Sequence, residues 1–407
     1  MMNITKRANS VVAVSFRGAA SALAFVGLLA FLFAFAPAAP AQTFTLLYQF
    51  RSGPGGINPY AGVVMDAKGD LFGTTYNDGA FAAGTVFRIN AAGKEKVLHS
   101  FSQTDGDGAF PWYGTLAKDS SGNLYGTTLT GGIDGQLCCG TVFKVTSSGE
   151  ETVLYRFSGI GGDGFPQAGV VRDSSGNLYG TTQNGGTDGA GTVFKVDPTG
   201  KKIVLYSFTG STDGAYPMAG VVLDAKGNLY GTTSGGGLYD FGGYGTVYKV
   251  DPAGSETVLY TFMGSNDGGT PEAGVIRDAQ GNLYGTTYSG GTDGAGTVFK
   301  VDTNGQETVL YNFTGGADGG FPVEASLVRD SAGNLYGTTP QGGASSFGVV
   351  FKIDTAGKET VLHNFSFSGS DGKIPYGTLA LDKSGNLYGT TYEGGAYGGG
   401  VVFKIAP

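Results

Sequence analysis

Only two histidines, two cysteines and one tryptophan occur among the 407 residues. A multi-histidine metal centre, a zinc cluster and a disulfide-framed fold are thereby excluded. Charged residues make up 14% of the chain, against ~25% in an ordinary soluble domain, so long helices with charged outer faces are not expected. The nucleophile elbow G-x-S-x-G, the zinc-binding pair H-E-x-x-H and the Walker-type phosphate loop are all missing, and the many Gly-Gly pairs sit between strand-like runs rather than before helices. Glycine and aromatic residues are plentiful, with 76 Gly, 22 Tyr and 27 Phe. Glycine and proline together reach ~22%, below the range that signals disorder and far from collagen's one-third glycine. The chain should fold, mostly as strands.

Lys6, Arg7 and Arg17 precede an apolar stretch from Ala22 to Ala36, and Ala39-Pro40-Ala41 supplies the small residues of a signal-peptidase site. Residues 1–41 therefore read as a secretory leader cleaved before Gln42, and residues 42–407 as the mature domain. The apolar run falls short of the ~20 residues a spanning helix requires, so no transmembrane segment is expected after cleavage. Removing three positive charges takes the net charge from −8 to −11. Such an acidic chain disfavours nucleic acid and anionic membranes as partners. A secreted, periplasmic or cell-envelope location follows.

The tetrapeptide Tyr/Phe-Gly-Thr-Thr begins at Phe72, Tyr125, Tyr179, Tyr230, Tyr284, Tyr336 and Tyr388, at intervals of 51 to 54 residues. A fixed period of that size indicates a solenoid, a propeller or an array of modules. Residues 219–262 show one unit well: β-branched and aromatic runs such as Thr246 to Val250 and Thr257 to Tyr260 are separated by turn chemistry such as Asp251-Pro252-Ala253-Gly254. Each unit reads as four strands, here named A (Gly-Val-Val), B (Asn-Leu-Tyr-Gly-Thr-Thr), C (Gly-Thr-Val-Phe-Lys) and D (Thr-Val-Leu-Tyr-x-Phe). One such sheet cannot bury both faces, whereas seven stacked radially can, so the expected fold is an all-β, seven-bladed propeller of four-stranded antiparallel blades with A innermost. The mature chain starts with a lone D-type strand, Thr45 to Phe50, and the last unit ends with strand C at Val401 to Ile405. The first strand is therefore expected to close the ring and remove the exposed edges. The interior glycine of each Tyr-Gly-Thr-Thr is expected to admit the neighbouring blade, with Tyr filling the space between blades.

The run Asp-x-x-Gly-Asn-Leu-Tyr-Gly-Thr-Thr, the Gly-Gly loop, Gly-Thr-Val-Phe-Lys and Glu-Thr-Val-Leu-Tyr-x-Phe resembles the GloVer tandem-repeat family of exported bacterial proteins, and the likeness covers all seven units. The resemblance implies no established activity. The strand order is also similar to that of NHL-type propellers, which usually bind ligands, an analogy at the level of fold only.

His99 and His363 take the strand-D tyrosine position in units one and six, too far apart to share a metal, and read as aromatic substitutes. Six D-to-A loops carry Asp-Gly before their proline (Asp107, Asp163, Asp213, Asp267, Asp318 and Asp371). These carboxylates could offer oxygens to calcium, but Asp-Gly is turn chemistry in its own right, and no cofactor is expected. Cys138 and Cys139 are adjacent, and export favours a vicinal disulfide over two thiols. As their loop lies outside the repeated core, Cys138→Ser is expected to shift stability by no more than about 0.5 kcal/mol.

The informative positions are those where the repeats differ. After the D-to-A proline the chain reads Tyr60, Trp112, Gln167, Met218, Glu272, Val323 and Tyr376, with Tyr113 following Trp112. The aromatic members belong to units one, two and seven, which ring closure makes contiguous. The B-to-C loop of unit four is the most elaborate, with Tyr239, Phe241 and Tyr244 on the face shared with the D-to-A loops. The expected ligand-binding set is thus Tyr60, Trp112, Tyr113, Tyr376, Tyr239, Phe241, Tyr244 and Glu272. The expected function is a non-catalytic binding or scaffold module for a glycan or a cell-envelope or extracellular protein. The alternative is a polysaccharide hydrolase or lyase, which needs two convergent acids from among Glu272, Glu324, Asp240 and Glu393.

Overall fold

The computed structural model describes residues 42–104, 106–131, 139–159, 164–367 and 370–406. The leader, Cys138 and Asp163 lie outside the described residues.

Seven four-stranded antiparallel sheets follow one another along the chain. Blade five is representative, with strand A at Ile276–Arg277, B at Leu283–Thr287, C at Thr297–Val301 and D at Glu307–Asn312. In the closing blade, strands A (Ala380–Leu381), B (Leu387–Thr391) and C (Val401–Ala406) are completed by the first strand of the domain, Thr43–Gln49. Thr43 pairs with Ala406 and Gln49 with Val401, so both ends of the repeat array lie in one sheet and the last strand C is not left as an edge.

The core is a ring of identical inter-blade contacts. The phenylalanine ending each strand D packs on the strand-C aromatic of the next blade, as in Phe262 on Phe299 and Phe313 on Phe351, both at 5.1 Å. Phe50, supplied by the first strand, makes the same contact with Phe87, and the ring continues through the closure without a break. The strand-B tyrosines lie between blades as expected. Each is covered by a cation, either from the next blade (Arg277 over Tyr230) or from its own strand C where the next blade has leucine or methionine (Lys195 over Tyr179, beside Leu223).

The interior glycine has a different role from the one expected. A Cβ on Gly285 would lie 2.6 Å from the Phe299 ring and 3.3 Å from Val275, both of the same blade. The glycine thus seats its own blade's phenylalanine, and that ring then meets the neighbour. Close approach between blades occurs instead just before strand C, where Gly296 (φ +93°) has Pro322 of the next blade against it. The residue before that proline is held at positive φ in six blades (Asn58, Phe110, Tyr216, Thr270, Phe321, Ile374), and its amide donates to the previous blade, as in Phe321 to Ala295 at 2.7 Å.

Candidate functional site

The D-to-A loops converge on one mouth of the central channel, and their repeated acids serve the loops themselves. Asp213, Asp267 and Asp318 each accept the hydroxyl of the strand-D tyrosine ahead of them (Tyr206, Tyr260, Tyr311) at 2.9 Å and also accept a loop amide. His99 and His363 replace that tyrosine and pair with Asp107 and Asp371 at 3.3 and 3.1 Å. These carboxylates cap turns, and among the described residues no group of three or more metal-ligating side chains comes together.

The aromatic residues of blades seven, one and two form one half-buried cluster. Tyr60 lies at its centre, 5.2 Å from both Tyr376 and Tyr113 and 6.1 Å from Trp112, and Trp112 stacks on Tyr113 at 4.7 Å. Strand-B extensions add Tyr392, 4.2 Å from Tyr60, and Tyr76, 5.7 Å from Trp112. The Trp112 indole N–H is shielded from solvent yet donates to nothing.

Beneath this arc is a cavity of about 180 Å³ lined by Tyr113, Met218, Glu272, Glu324, Ser326 and Thr378 among others. Of the four unrepeated acids, these two converge. Glu393 pairs with Lys373 at 3.0 Å, and Asp240 lies in an exposed loop. Burial raises the Glu272 carboxyl to about 7. Burial, followed by the charge of Glu272, raises Glu324 to about 10, while Tyr113 opposes the shift as a hydrogen-bonding neighbour. Glu324 is therefore protonated at neutral pH, and its Oε2 has no hydrogen-bond partner.

The loops that carry Tyr113 and Glu324 into the cavity each have one residue more than their equivalents. Pro111 to Asp119 and Pro322 to Asp330 are one residue longer than Pro166 to Asp173 and its equivalents. Without Glu324 the sixth loop would read Pro-Val-Ala-Ser, matching Pro-Met-Ala-Gly in the fourth. Glu324 sits at φ +58°, spanned by a short hydrogen bond from the Ala325 amide to the Val323 carbonyl. The insertions also break a repeated link. Elsewhere the first threonine of Tyr-Gly-Thr-Thr donates to the next blade's loop carbonyl, as Thr181 does to Ala219 at 2.8 Å and Thr232 to Ala273 at 2.9 Å. Thr74 and Thr286, which face blades two and six, are buried with no partner. Glu324 was absent from the expected binding set, and the lengthened Pro-to-Asp spacing is the signal that would have placed it there.

Tyr239, Phe241 and Tyr244 are on the same face but apart from this cluster. They are exposed, with Phe241 covering Gly210 and contacting Tyr216 at 5.8 Å, and Tyr244 covering Gly264. Neither the cavity nor the aromatic arc includes them. Cys139 occupies the buried position that Ala190 and Ala295 hold in blades three and five, packed with Val142 and Phe157. The cysteine loop is thus part of the core at Cys139, contrary to expectation.

A seven-bladed, strand-closed propeller with one asymmetric channel mouth is the class these features define. The chain belongs to the Gloeobacter/Verrucomicrobia repeat family, which matches residues 26–244 and again 222–407. No curated protein matches it. Among solved structures it is similar to a streptogramin B lyase (14% identity, 90% of this chain and 99% of that one, TM-score 0.59). It is also similar to a gluconolactonase from Xanthomonas campestris (13% identity, 92% of each chain, TM-score 0.47). At such identities the first likeness supports the fold alone.

Proposed function

We propose that this protein is an exported, non-catalytic propeller that binds a glycan at the channel mouth. The contiguous aromatic arc of Tyr60, Trp112, Tyr113, Tyr376 and Tyr392 carries the reading, because clustered rings with polar tips are where binding energy concentrates. The cavity beside it favours a sugar over a flat protein surface: it is small and concave, and Glu324 in its lining has a carboxyl oxygen without a partner. No helix among the described residues is long and apolar enough to cross a membrane. Retention of the mature protein on an immobilised polysaccharide panel tests the proposal. Trp112→Ala should weaken the best retention at least tenfold while the domain still melts cooperatively. Undiminished retention in that variant would move the ligand elsewhere.

One observation favours a second reading, hydrolysis or elimination on a polysaccharide: Glu272 and Glu324 share one cavity and have raised carboxyls, as a general acid must. New reducing or unsaturated ends after incubation with the same panel would establish it, and intact polymer on prolonged incubation would leave the binder.

A further inference from the structure

The glycan reading leaves one feature unexplained: two carboxyls stand together where a neutral group would have sufficed. The third blade shows the neutral solution, since Gln167 at the corresponding loop position is hydrogen-bonded to Gln183. Placing two acids in one cavity costs desolvation and mutual repulsion. The cost is visible around Glu324 as well, in its positive φ and in the orphaned hydroxyl of Thr286. Strain and unsatisfied groups of this kind persist where function requires them. The groups facing Glu324 are Glu272, Tyr113, Tyr60 and Tyr376, none of them cationic, and no Lys or Arg lines the cavity.

We propose, on the footing of the glycan reading, that the cavity takes a sugar residue bearing a free amine, with its ammonium held by Glu272 and Glu324 beside the ring of Tyr113. Such a ligand supplies what the site lacks. The ammonium donates to Glu324 Oε2, and the ring of Tyr113 in the same lining favours a cation. An N-acetylated or anionic sugar would leave the acid pair uncompensated. The arriving charge also stabilises both carboxylates, so binding should expel a proton that the empty site holds.

Glucosamine tetrasaccharide and N-acetylglucosamine tetrasaccharide, which share a backbone and differ in charge, are the probes. Calorimetric titration of the mature protein at pH 5.5, where the amine is fully protonated before it binds, in raised salt, which screens the acidic surface, compares them. The amine form should bind at least tenfold tighter. Its apparent enthalpy should vary between buffers of different ionisation enthalpy in the direction of proton release. Glu272→Gln and Glu324→Gln, both neutral isosteres, should bring the two probes within about threefold of each other without lowering the melting temperature. Equal affinities, or an amine preference that survives both substitutions, would overturn the proposal while the glycan reading stands. So would failure of both probes alongside retention on another polysaccharide of the panel. Retention on none would remove both.

Discussion

Two sets of acids behave oppositely: the turn aspartates that every blade repeats, and the two glutamates that single blades bring into the channel cavity. The A-to-B turns repeat an aspartate (Asp173, Asp224, Asp278 and others) whose Oδ1 accepts turn amides and whose Oδ2 accepts the Asn and Tyr side chains that follow. Burial acts to raise these carboxyls, yet the hydrogen bonds outweigh it and hold them below the usual range. Glu272 and Glu324 are displaced in the opposite direction and lack any such set of donors. Backbone strain divides the same way. Positive φ before the loop proline recurs around the ring and is compensated by an inter-blade hydrogen bond, whereas at Glu324 it occurs in one blade, where Thr286 has lost its partner. The repeated turn aspartates are answered by hydrogen bonds, and the repeated strand-D glutamates keep a buried Oε1 without a partner. Only the unrepeated Glu272 and Glu324 meet in one cavity.

The largest effect should come from breaking the repetition itself. A mature chain lacking residues 42–50 loses the closing strand together with Phe50, a fully buried ring whose replacement by alanine alone should cost about 3–5 kcal/mol. Strand C of the last blade would also become a bare edge. We expect no cooperative melt and association in size-exclusion chromatography. A monomer melting within a few degrees of the full domain would show that the blades do not depend on closure.

Deleting Glu324 alone tests the other side of the comparison. The loop then reads as in its neighbours, Thr286 can donate to the loop carbonyl again, and a buried acid disappears. Restoring one buried hydrogen bond should add on the order of 1–3 kcal/mol of stability in denaturant unfolding, with ligand retention lost. A destabilised variant would mean that the insertion serves packing after all.

A smaller effect concerns pH. Burial, then the charge of a loop aspartate, raises Glu151, Glu256, Glu307 and Glu359 to about 7. A carboxyl raised on folding contributes stability that is fully present below its unfolded value, near 4.5, and is lost as pH rises through the folded value. Stability should therefore fall between about pH 4.5 and 7, with Glu272 adding to the same window and Glu324 extending it toward 10. The turn aspartates act oppositely, losing their contribution as pH drops below their unfolded value near 3.8. The melting temperature should peak between these limits. Because the four seam glutamates are about half exposed, the change should be modest, and Glu256→Gln should raise the melting temperature at pH 8 but not at pH 4.5. A chain more stable at pH 8 than at pH 4.5 would refute the assignment.

Blade number, strand order and ring closure were legible because a fourfold strand pattern in seven copies leaves few ways to bury its faces. The aromatic arc was legible because Tyr60, Trp112, Tyr113 and Tyr376 depart from their repeat at a position that the period fixes. The convergence of Glu272 and Glu324 was not, since the B-to-C loops also vary in length and hide a one-residue insertion within intervals of 51 to 54 residues. The role of the interior glycine was misread because sequence gives a position its blade but not the face it turns to. Its partner is Phe299, directly opposite Gly285 across the same sheet.

The smallest effect is expected at Cys139, where repetition and departure meet. Its side chain is 1% exposed and stands where three other blades have Ala83, Ala190 and Ala295, so the fold already tolerates alanine there. Cys139 is disulfide-bonded, so the comparison is made under reducing conditions, where Cys139→Ala removes one buried heavy atom and should cost about 1 kcal/mol, roughly the value of one methylene. Cys139→Ser should cost more, because a hydroxyl among Val142, Phe157 and Phe194 has no apolar equivalent. The expected vicinal disulfide with Cys138 is tested separately, by mass spectrometry of unreduced exported protein after alkylation. Two alkylated thiols would reject the disulfide and leave the packing argument intact. Equal stability of the alanine and serine variants would reject the packing argument and return Cys139 to the surface loop that its sequence position suggests.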